Sequence, residues 1–315
     1  MRVIFTHRKD ADGIICAAIF KRSFPSSNIY LLDYGEEETL QMIAYIDEIV
    51  KKESDNLFVI SDIGINKSVV NIVLENFKRI SESGNKIYWL DHHVWPEEFV
   101  KALNEFVYIK LDKTKCASEI VAETFCHDEV CKTLASIARD SDFKLKKYTI
   151  TELLDDIIAY FNYLHDYKSL ENLALKLANG ILWDTQYQYL REKYTKERSL
   201  EIEKLKKNIL KTEVNGVSIT LSLVNEIIPS SMAVNIMLDE TKSDLAIALR
   251  ERGTLTIMRS KNSNIECNKI AEYFGGGGHP FIAGGKLPKE LIDKKNYDEW
   301  FQYVLDVLKK AIKNK

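Results

Sequence analysis

Residues 1–110 of this 315-residue chain alternate short apolar runs with helical patterns, and this order restricts the fold more than any other feature. The apolar runs are continuous rather than alternating in polarity, which predicts strands covered on both faces. Strands separated by helices at this spacing predict βαβ units and a mostly parallel sheet. The predicted strands are 3–5, 29–32, 57–60, 87–90 and 107–109, and the predicted intervening helices are 12–24, 36–52 and 67–80.

The rest of the chain predicts a change of architecture. Residues 114–211 have almost entirely helical patterns, and the strongly charged stretch 194–211 suits a solvated connecting helix. Strand and helix patterns then resume, ending in an amphipathic helix over 297–313. We therefore predict an α/β protein with three parts: a catalytic domain (1–193) whose mostly parallel sheet is flanked by helices, a helical linker (194–211) and a smaller α/β domain (212–315).

Composition excludes several classes of protein. Hydrophobic residues make up 45% of the chain and charged residues 29%, which is typical of a globular protein. The net charge of −3 provides no global basic field for long nucleic acid. No apolar run suits a membrane span, and the N-terminus lacks a signal-peptide pattern, so we expect a cytoplasmic protein without a membrane partner. The five cysteines form no CxxC pair and are interpreted as small buried side chains in a reducing compartment.

Ionisable residues follow three of the predicted strands. They are His7, Asp10 and Asp12 after the first strand, Asp62 after the third, and Asp91, His92 and His93 after the fourth. Ligands of an open parallel sheet bind outside the carboxyl ends of its strands. If these three strands are neighbours, we expect the side chains to converge at one edge of the sheet.

Clustered carboxylates repel one another in a cleft of low dielectric constant, and neutral histidines do not offset that repulsion. Carboxylate and imidazole groups without thiolates suit Mn²⁺, or Mg²⁺ or Co²⁺, better than structural zinc. Two such ions would activate a water and clamp an in-line phosphoryl displacement. Taken singly, each aspartate is also typical of a helix cap or a turn, and only the ordered set favours a metal site.

A glycine run marks the C-terminal part. Gly275 would suffice to cap a helix, and the three glycines after it indicate a backbone that something approaches closely. Loops of this kind present N–H groups to anions, and His279 and Arg259 would add hydrogen bonds or charge. A flexible hinge is the alternative interpretation.

Taken in order, these motifs resemble the DHH phosphoesterase superfamily with its associated C-terminal substrate-binding domain. That group includes RecJ-type exonucleases, nanoRNase/pAp phosphatases and cyclic-dinucleotide phosphodiesterases. The matching segments are 7–13, 61–62, 91–93, Asp140 within 138–142, Arg259–Ser260 and 275–279.

The resemblance implies a role for each matching residue. One Mn²⁺ would be held by His7, Asp10 and Asp62, and the other by Asp12, Asp62, His92 and Asp140. Asp142 lies two residues further on and is the alternative to Asp140. His93 would contact the scissile phosphate, and Asp91 would orient it or assist ligation. The substrate would be bound by Arg259, Ser260, Gly276, Gly277, Gly278 and His279.

The predicted function is hydrolysis of short oligonucleotides or small nucleotides by a two-metal phosphoesterase, in a cleft between the two domains. A RecJ-like single-strand exonuclease is the first alternative, and a non-catalytic relative acting as a replication partner is the second. Family pyrophosphatases lack the glycine–histidine loop and are disfavoured. The partner is therefore a nucleotide or short oligonucleotide substrate, and a homodimer is a possible state of assembly.

Overall fold

The computed structural model describes residues 1–65 and 67–312. The chain divides into two compact units, Met1–Glu192 and Lys193–Lys315. Each unit contains its own sheet and helices, which confirms the predicted mixed α/β class.

The first unit is built on a five-stranded sheet in which every pairing is parallel. The strands are β1 (Arg2–His7), β2 (Asn28–Leu32), β3 (Leu57–Ser61), β4 (Lys86–Asp91) and β5 (Tyr108–Leu111). Their spatial order is β2-β1-β3-β4-β5. Each predicted strand is present, and four of the five extend by one or two residues towards the polar residues that follow, so that His7 and Asp91 belong to strands.

Helices cover both faces of this sheet. The helices that begin in this unit are α1 (Ala11–Ser23), α2 (Glu36–Val50), α3 (Val70–Glu82), α4 (Glu97–Leu103), α5 (Ala117–Phe125), α6 (Glu129–Asp142), α7 (Thr149–Tyr163), α8 (Tyr167–Ala178) and α9 (Thr185–Lys207). One apolar cluster joins one face of the sheet to α1 and α5–α8, and another joins the opposite face to α2, α3 and α4. The continuous apolar strands follow from this double coverage.

Helix α1 is central to the first cluster. It is apolar on all sides, and every residue from Ala11 to Phe20 is buried. A helix of this composition needs neighbours all round. It has them in α5, α6, α7 and α8, which explains why so many helices follow the sheet.

The charged segment predicted as a connecting helix over 194–211 differs from the structure at both ends. It is part of the longer helix α9, which begins at Thr185 and ends at Lys207. Leu210 and Lys211 already belong to a strand.

The second unit contains a six-stranded mixed sheet of order β10-β11-β9-β8-β7-β6. Its strands are β6 (Leu210–Val214), β7 (Val217–Leu223), β8 (Leu245–Leu249), β9 (Thr254–Arg259), β10 (Gly277–Gly278) and β11 (Ile282–Lys286). Its helices are α10 (Ser230–Thr241), α11 (Cys267–Glu272), α12 (Lys289–Lys294) and α13 (Tyr297–Ala311). The last two residues predicted for the final helix are Ile312, which lies after α13, and Lys313, which lies outside the described residues.

The glycine run forms one side of a tight hairpin rather than a hinge. A Cβ atom on Gly276 would lie 1.9 Å from the carbonyl oxygen of Gly284, and one on Gly278 would lie 2.7 Å from Cα of Ala283. Gly278 also has a φ of +141°, which disfavours other residues. The close approach predicted from the sequence therefore comes from the chain's own strand β11.

The cysteines differ in part from the expectation. Cys16, Cys116 and Cys267 are buried free thiols, as predicted. Cys126 and Cys131 form a disulfide with an S–S distance of 2.12 Å between the end of α5 and the first turn of α6. Their spacing of five residues matches no common motif, so the pairing was not predictable from the sequence. Among the described residues, no helix is both long and apolar enough to cross a membrane.

Candidate metal centre

The order of the first sheet creates a crevice at the carboxyl end of β1. From β1 the chain passes to β2 on one side, and β3 then lies on the other side of β1. In open α/β sheets such a reversal of strand order is where ligands bind. His7 ends β1, Asp62 directly follows β3 and Asp91 ends β4, so the three predicted clusters lie on adjacent strands.

The first group of possible ligands surrounds the buried ring of His7. Its Nδ1 atom lies 3.0 Å from Oδ2 of Asp10 and 3.8 Å from Oδ2 of Asp62. Asp10 also caps helix α1, since its Oδ1 accepts a hydrogen bond from the backbone N–H of Gly13 at 3.1 Å. Burial would raise the pKa of Asp10, but its contact with His7 lowers that pKa to about 2. The carboxylate is therefore ionised across the physiological range.

Asp62 occupies the centre of the site. Its backbone φ of +55° is uncommon for a residue other than glycine, and such conformations concentrate at functional sites. The residue is 2% exposed, and burial together with the negative charges of Asp10 and Asp12 raises its pKa well above the usual range. An ionised Asp62 therefore needs a cation.

The second group contains Asp12, His92 and Asp142. Their ligand atoms all lie within 4.8 Å of one another. Nδ1 of His92 is 3.5 Å from Oδ2 of Asp142, and its Nε2 is 3.4 Å from Oδ1 of Asp62. His92 therefore links this group to the first one through Asp62.

Helix α5 positions Asp12. The carboxylate accepts hydrogen bonds from the backbone N–H groups of Ala117, at 2.7 Å, and Ser118, at 2.8 Å, and from the Ser118 hydroxyl. Carboxylates are favoured at helix N-termini. Burial and the charge of Asp10 nevertheless raise the pKa of Asp12 to about 6, although the Ser118 hydrogen bonds oppose this rise.

Asp91 holds His93 in a fixed orientation. Oδ1 of Asp91 lies 2.7 Å from Nδ1 of His93, and Oδ2 accepts a hydrogen bond from the Trp95 indole at 2.8 Å. Burial opposes protonation of His93, but the Asp91 carboxylate raises its pKa overall. Nε2 of His93 is left available for a ligand, because Nδ1 is engaged with Asp91.

Asp140 does not lie in this arrangement, and this corrects the assignment made from the sequence. Its Oδ1 accepts a hydrogen bond from the Lys147 N–H at 2.7 Å, and its Oδ2 accepts from the Tyr148 N–H at 3.1 Å and the Thr151 hydroxyl at 2.7 Å. A shift of two residues along a helix turns the side chain by about half a turn. The geometry therefore favours the alternative, Asp142.

Two residues of this edge were missed by the sequence argument. The imidazole of His7 stacks on the ring of Tyr34, with centroids 3.9 Å apart, and its Nε2 lies 3.8 Å from Oδ1 of Asp33. Asp33 also pairs with Arg8 and Lys9. Both residues follow β2, so the strand-end rule that selected the other clusters would have found them.

Gly13 is required by packing rather than by a turn. A Cβ atom at this position would lie 2.0 Å from the carbonyl oxygen of His7. The first turn of α1 therefore lies directly against the end of β1, which brings Asp10 and Asp12 to His7.

The chemistry of these side chains fits divalent cations. Oδ2 of Asp62, which faces Nδ1 of His7, is buried without a hydrogen-bond partner among the described residues, and this is costly unless another group binds there. The surrounding ligand atoms are carboxylate oxygens and imidazole nitrogens, with no thiolate in the groups around Asp62. Such a set suits Mn²⁺, Mg²⁺ or Co²⁺.

The residues predicted to bind substrate lie in the second unit. The backbone N–H of Arg259 donates to the carbonyl of Phe281 at 3.1 Å, and the Ser260 N–H donates to the carbonyl of Asp244 at 2.8 Å. Gly276, Gly277, Gly278 and His279 are exposed. The ring of His279 stacks on Phe281, with centroids 5.4 Å apart, so Phe281 is an exposed aromatic neighbour that the sequence argument missed.

Comparison with known proteins identifies the class of the first unit. Residues 2–154 match the family described as DHH family, N-terminal domain. The first unit therefore carries a DHH-family domain, as the motifs predicted. No curated protein matches the sequence.

Two solved structures are similar to the chain over nearly its whole length. One is an uncharacterized protein from Helicobacter pylori G27, with 18% identity and a TM-score of 0.45, covering 98% of this chain and 99% of that one. The other is PggH, a pGpG-specific phosphodiesterase from Vibrio cholerae, with 13% identity and a TM-score of 0.52. The match covers 96% of this chain and 98% of that one. At this identity the second similarity concerns the fold.

Proposed function

We propose that the chain is a two-metal phosphoesterase that hydrolyses short oligonucleotides or small nucleotides. The observation that supports this proposal most strongly is the position of Asp62 between two groups of ligand atoms. One group contains His7 and Asp10, and the other contains His92. A buried carboxylate shared in this way suits a bridging role between two cations. Bound cations would lower the pKa of a water and stabilise charge that develops on phosphorus oxygens.

The side chains of the site would have distinct roles. His7, Asp10 and Asp62 would hold one cation, and Asp12, Asp62, His92 and Asp142 the other. Asp91 would hold the ring of His93 in a fixed orientation. His93 would then donate a hydrogen bond from Nε2 to a phosphate oxygen, since its raised pKa favours the protonated ring. Asp91 is already engaged by His93 and Trp95, which favours an orienting role over ligation.

The second unit would bind the nucleotide. The His279–Phe281 pair offers an exposed stacking surface, and stacking on aromatic rings tolerates any base. The backbone of Arg259 is hydrogen-bonded to Phe281, and its guanidinium would add a positive charge for a phosphate of the nucleotide. Support for a small substrate also comes from PggH, whose described substrate, pGpG, is a dinucleotide.

The proposal is tested by hydrolysis assays with Mn²⁺ and with EDTA. The substrates are a 5′-phosphorylated dinucleotide, pAp, a cyclic dinucleotide and single-stranded DNA. We expect turnover of at least one small substrate that is lost with EDTA. Absence of turnover on all four would overturn the proposal, and a preference for long DNA would favour the exonuclease alternative.

Stabilisation by Mn²⁺ is expected to depend on pH. A carboxyl with a raised pKa stabilises the metal-free fold at low pH, and this contribution is lost as the pH rises through the folded value, about 6 for Asp12. Mn²⁺ binds the ionised form, so its affinity should increase over the same window. The rise in Tm caused by Mn²⁺ should therefore be clearly larger at about pH 7.5 than at about pH 5.5.

Differential scanning fluorimetry at both pH values, with Mn²⁺ and with EDTA, measures this effect. Equal shifts at the two pH values would show that carboxyls with raised pKa values are not the ligands.

A further inference from the structure

The loop between α6 and α7, residues 143–148, is held in a defined shape by Asp140. The carboxylate accepts three hydrogen bonds from the loop and from the first turn of α7, and its backbone carbonyl accepts a fourth from the Leu145 N–H at 3.1 Å. Asp140 itself is 2% exposed. Lys144 and Lys146 both have left-handed backbone conformations, with φ of +54° and +57°. Such a conformation in two non-glycine residues is maintained only when surrounding contacts fix it.

This loop, which we call the lysine loop, presents positive charge beside the acidic centre. Lys144, Lys146 and Lys147 are exposed, and none of them forms an ion pair with any described residue. The lysine loop begins directly after Asp142, a proposed ligand and the last residue of α6, and Lys144 follows Asp142 by two residues. The loop therefore starts at the proposed metal site.

The exposed apolar side chains of the lysine loop point to contact with a ligand larger than an ion. Phe143, Leu145 and Tyr148 are 38%, 40% and 44% exposed, and the Arg139 guanidinium lies 4.5 Å from the centroid of Phe143. Lysines interleaved with aromatic residues suit a nucleotide, which presents both phosphate and base.

We propose that the lysine loop binds a second phosphate group of the substrate, one nucleotide away from the scissile phosphate, with Lys144 as the main contact and Asp140 as its positioning residue. This inference rests on the proposed function. Once the carboxylates of the centre hold their cations, Lys144 is no longer needed to offset them and can pair with an anion. A lysine is a flexible point charge, which suits a terminal phosphate that rotates freely.

The test compares two dinucleotides that share the same scissile bond, one with and one without a 5′-phosphate. The wild-type protein should have the lower KM for the phosphorylated substrate. In Lys144→Asn, which removes the charge and tolerates the left-handed backbone, KM for that substrate should rise about 10- to 100-fold, as loss of a charged hydrogen bond implies. The value of kcat and the kinetics of the unphosphorylated substrate should stay within about twofold.

The matched control is Lys52→Asn, an exposed lysine after α2 and before β3, at the opposite edge of the sheet, with no ion pair among the described residues. Lys52→Asn should not change the kinetics of either substrate. Lys144→Arg should restore most of the preference for the phosphorylated dinucleotide. Equal effects of Lys144→Asn on both substrates, or none on either, would overturn this inference while leaving the proposed function standing. Absence of Mn²⁺-dependent turnover in the wild type on these two dinucleotides, and also on pAp, the cyclic dinucleotide and single-stranded DNA, would instead refute the proposed function.

Discussion

Replacement of Asp62 by asparagine is expected to abolish phosphoester hydrolysis and, at the same time, to raise the Tm of the metal-free protein. Asp62 is buried among four other carboxylates, and its pKa is raised well above the usual range. Its ionised form therefore destabilises the metal-free fold near neutral pH, and a neutral amide removes this repulsion. For a unit of this size, each kcal/mol regained raises Tm by about 2–4 °C.

The loss of activity in Asp62→Asn should be at least about 1,000-fold, because the bridging ligand of both proposed cations is removed. The control is Asp55→Asn. Asp55 has nearly the same backbone conformation, with a φ of +56°, but is exposed. It should change neither the activity nor the Tm. Retained activity in Asp62→Asn, or a lowered Tm without metal, would contradict the central role of Asp62.

The second large effect is a difference between Asp140 and Asp142, since replacement of Asp142 should affect metal binding and replacement of Asp140 should affect stability. Asp142→Asn should weaken Mn²⁺ binding and lower kcat about 100-fold or more, because it removes a proposed ligand next to His92. Asp140→Asn should leave Mn²⁺ affinity within about twofold but destabilise the protein by about 1–3 kcal/mol, since a buried acceptor of three hydrogen bonds is changed.

Isothermal titration with Mn²⁺ and chemical denaturation of each variant measure the two quantities independently. The reverse outcome, with metal binding lost in Asp140→Asn and kept in Asp142→Asn, would return the ligand role to Asp140. Because Asp140 shapes the lysine loop, Asp140→Asn should also reduce the preference for a 5′-phosphorylated substrate through KM rather than kcat.

The parallel sheet and the convergence of its strand ends were predictable from the sequence. Apolar runs of the first 110 residues mark the strands, and the position of His7, Asp62 and Asp91 at strand ends follows from their order in the chain. Both depend on local patterns of apolar and polar residues, which the sequence displays directly.

Other features depend on packing that local patterns do not encode. Asp140 and Asp142 lie on the same helical turn, and only the rotation of α6 against α7 decides which carboxylate faces His92. The pairing of Cys126 with Cys131 depends on how α5 meets α6. The glycine run is explained by contact with Gly284, a residue of a later strand that the sequence did not single out.

The central claim, that two cations share Asp62, is tested most directly by anomalous diffraction from crystals grown with Mn²⁺. We expect two anomalous peaks about 3.5–4 Å apart, one on each side of the Asp62 carboxylate. The first should lie within bonding distance of His7 and Asp10, and the second of Asp12, His92 and Asp142. Peaks elsewhere, or none at Asp62 under conditions where the protein hydrolyses its substrate, would contradict the account.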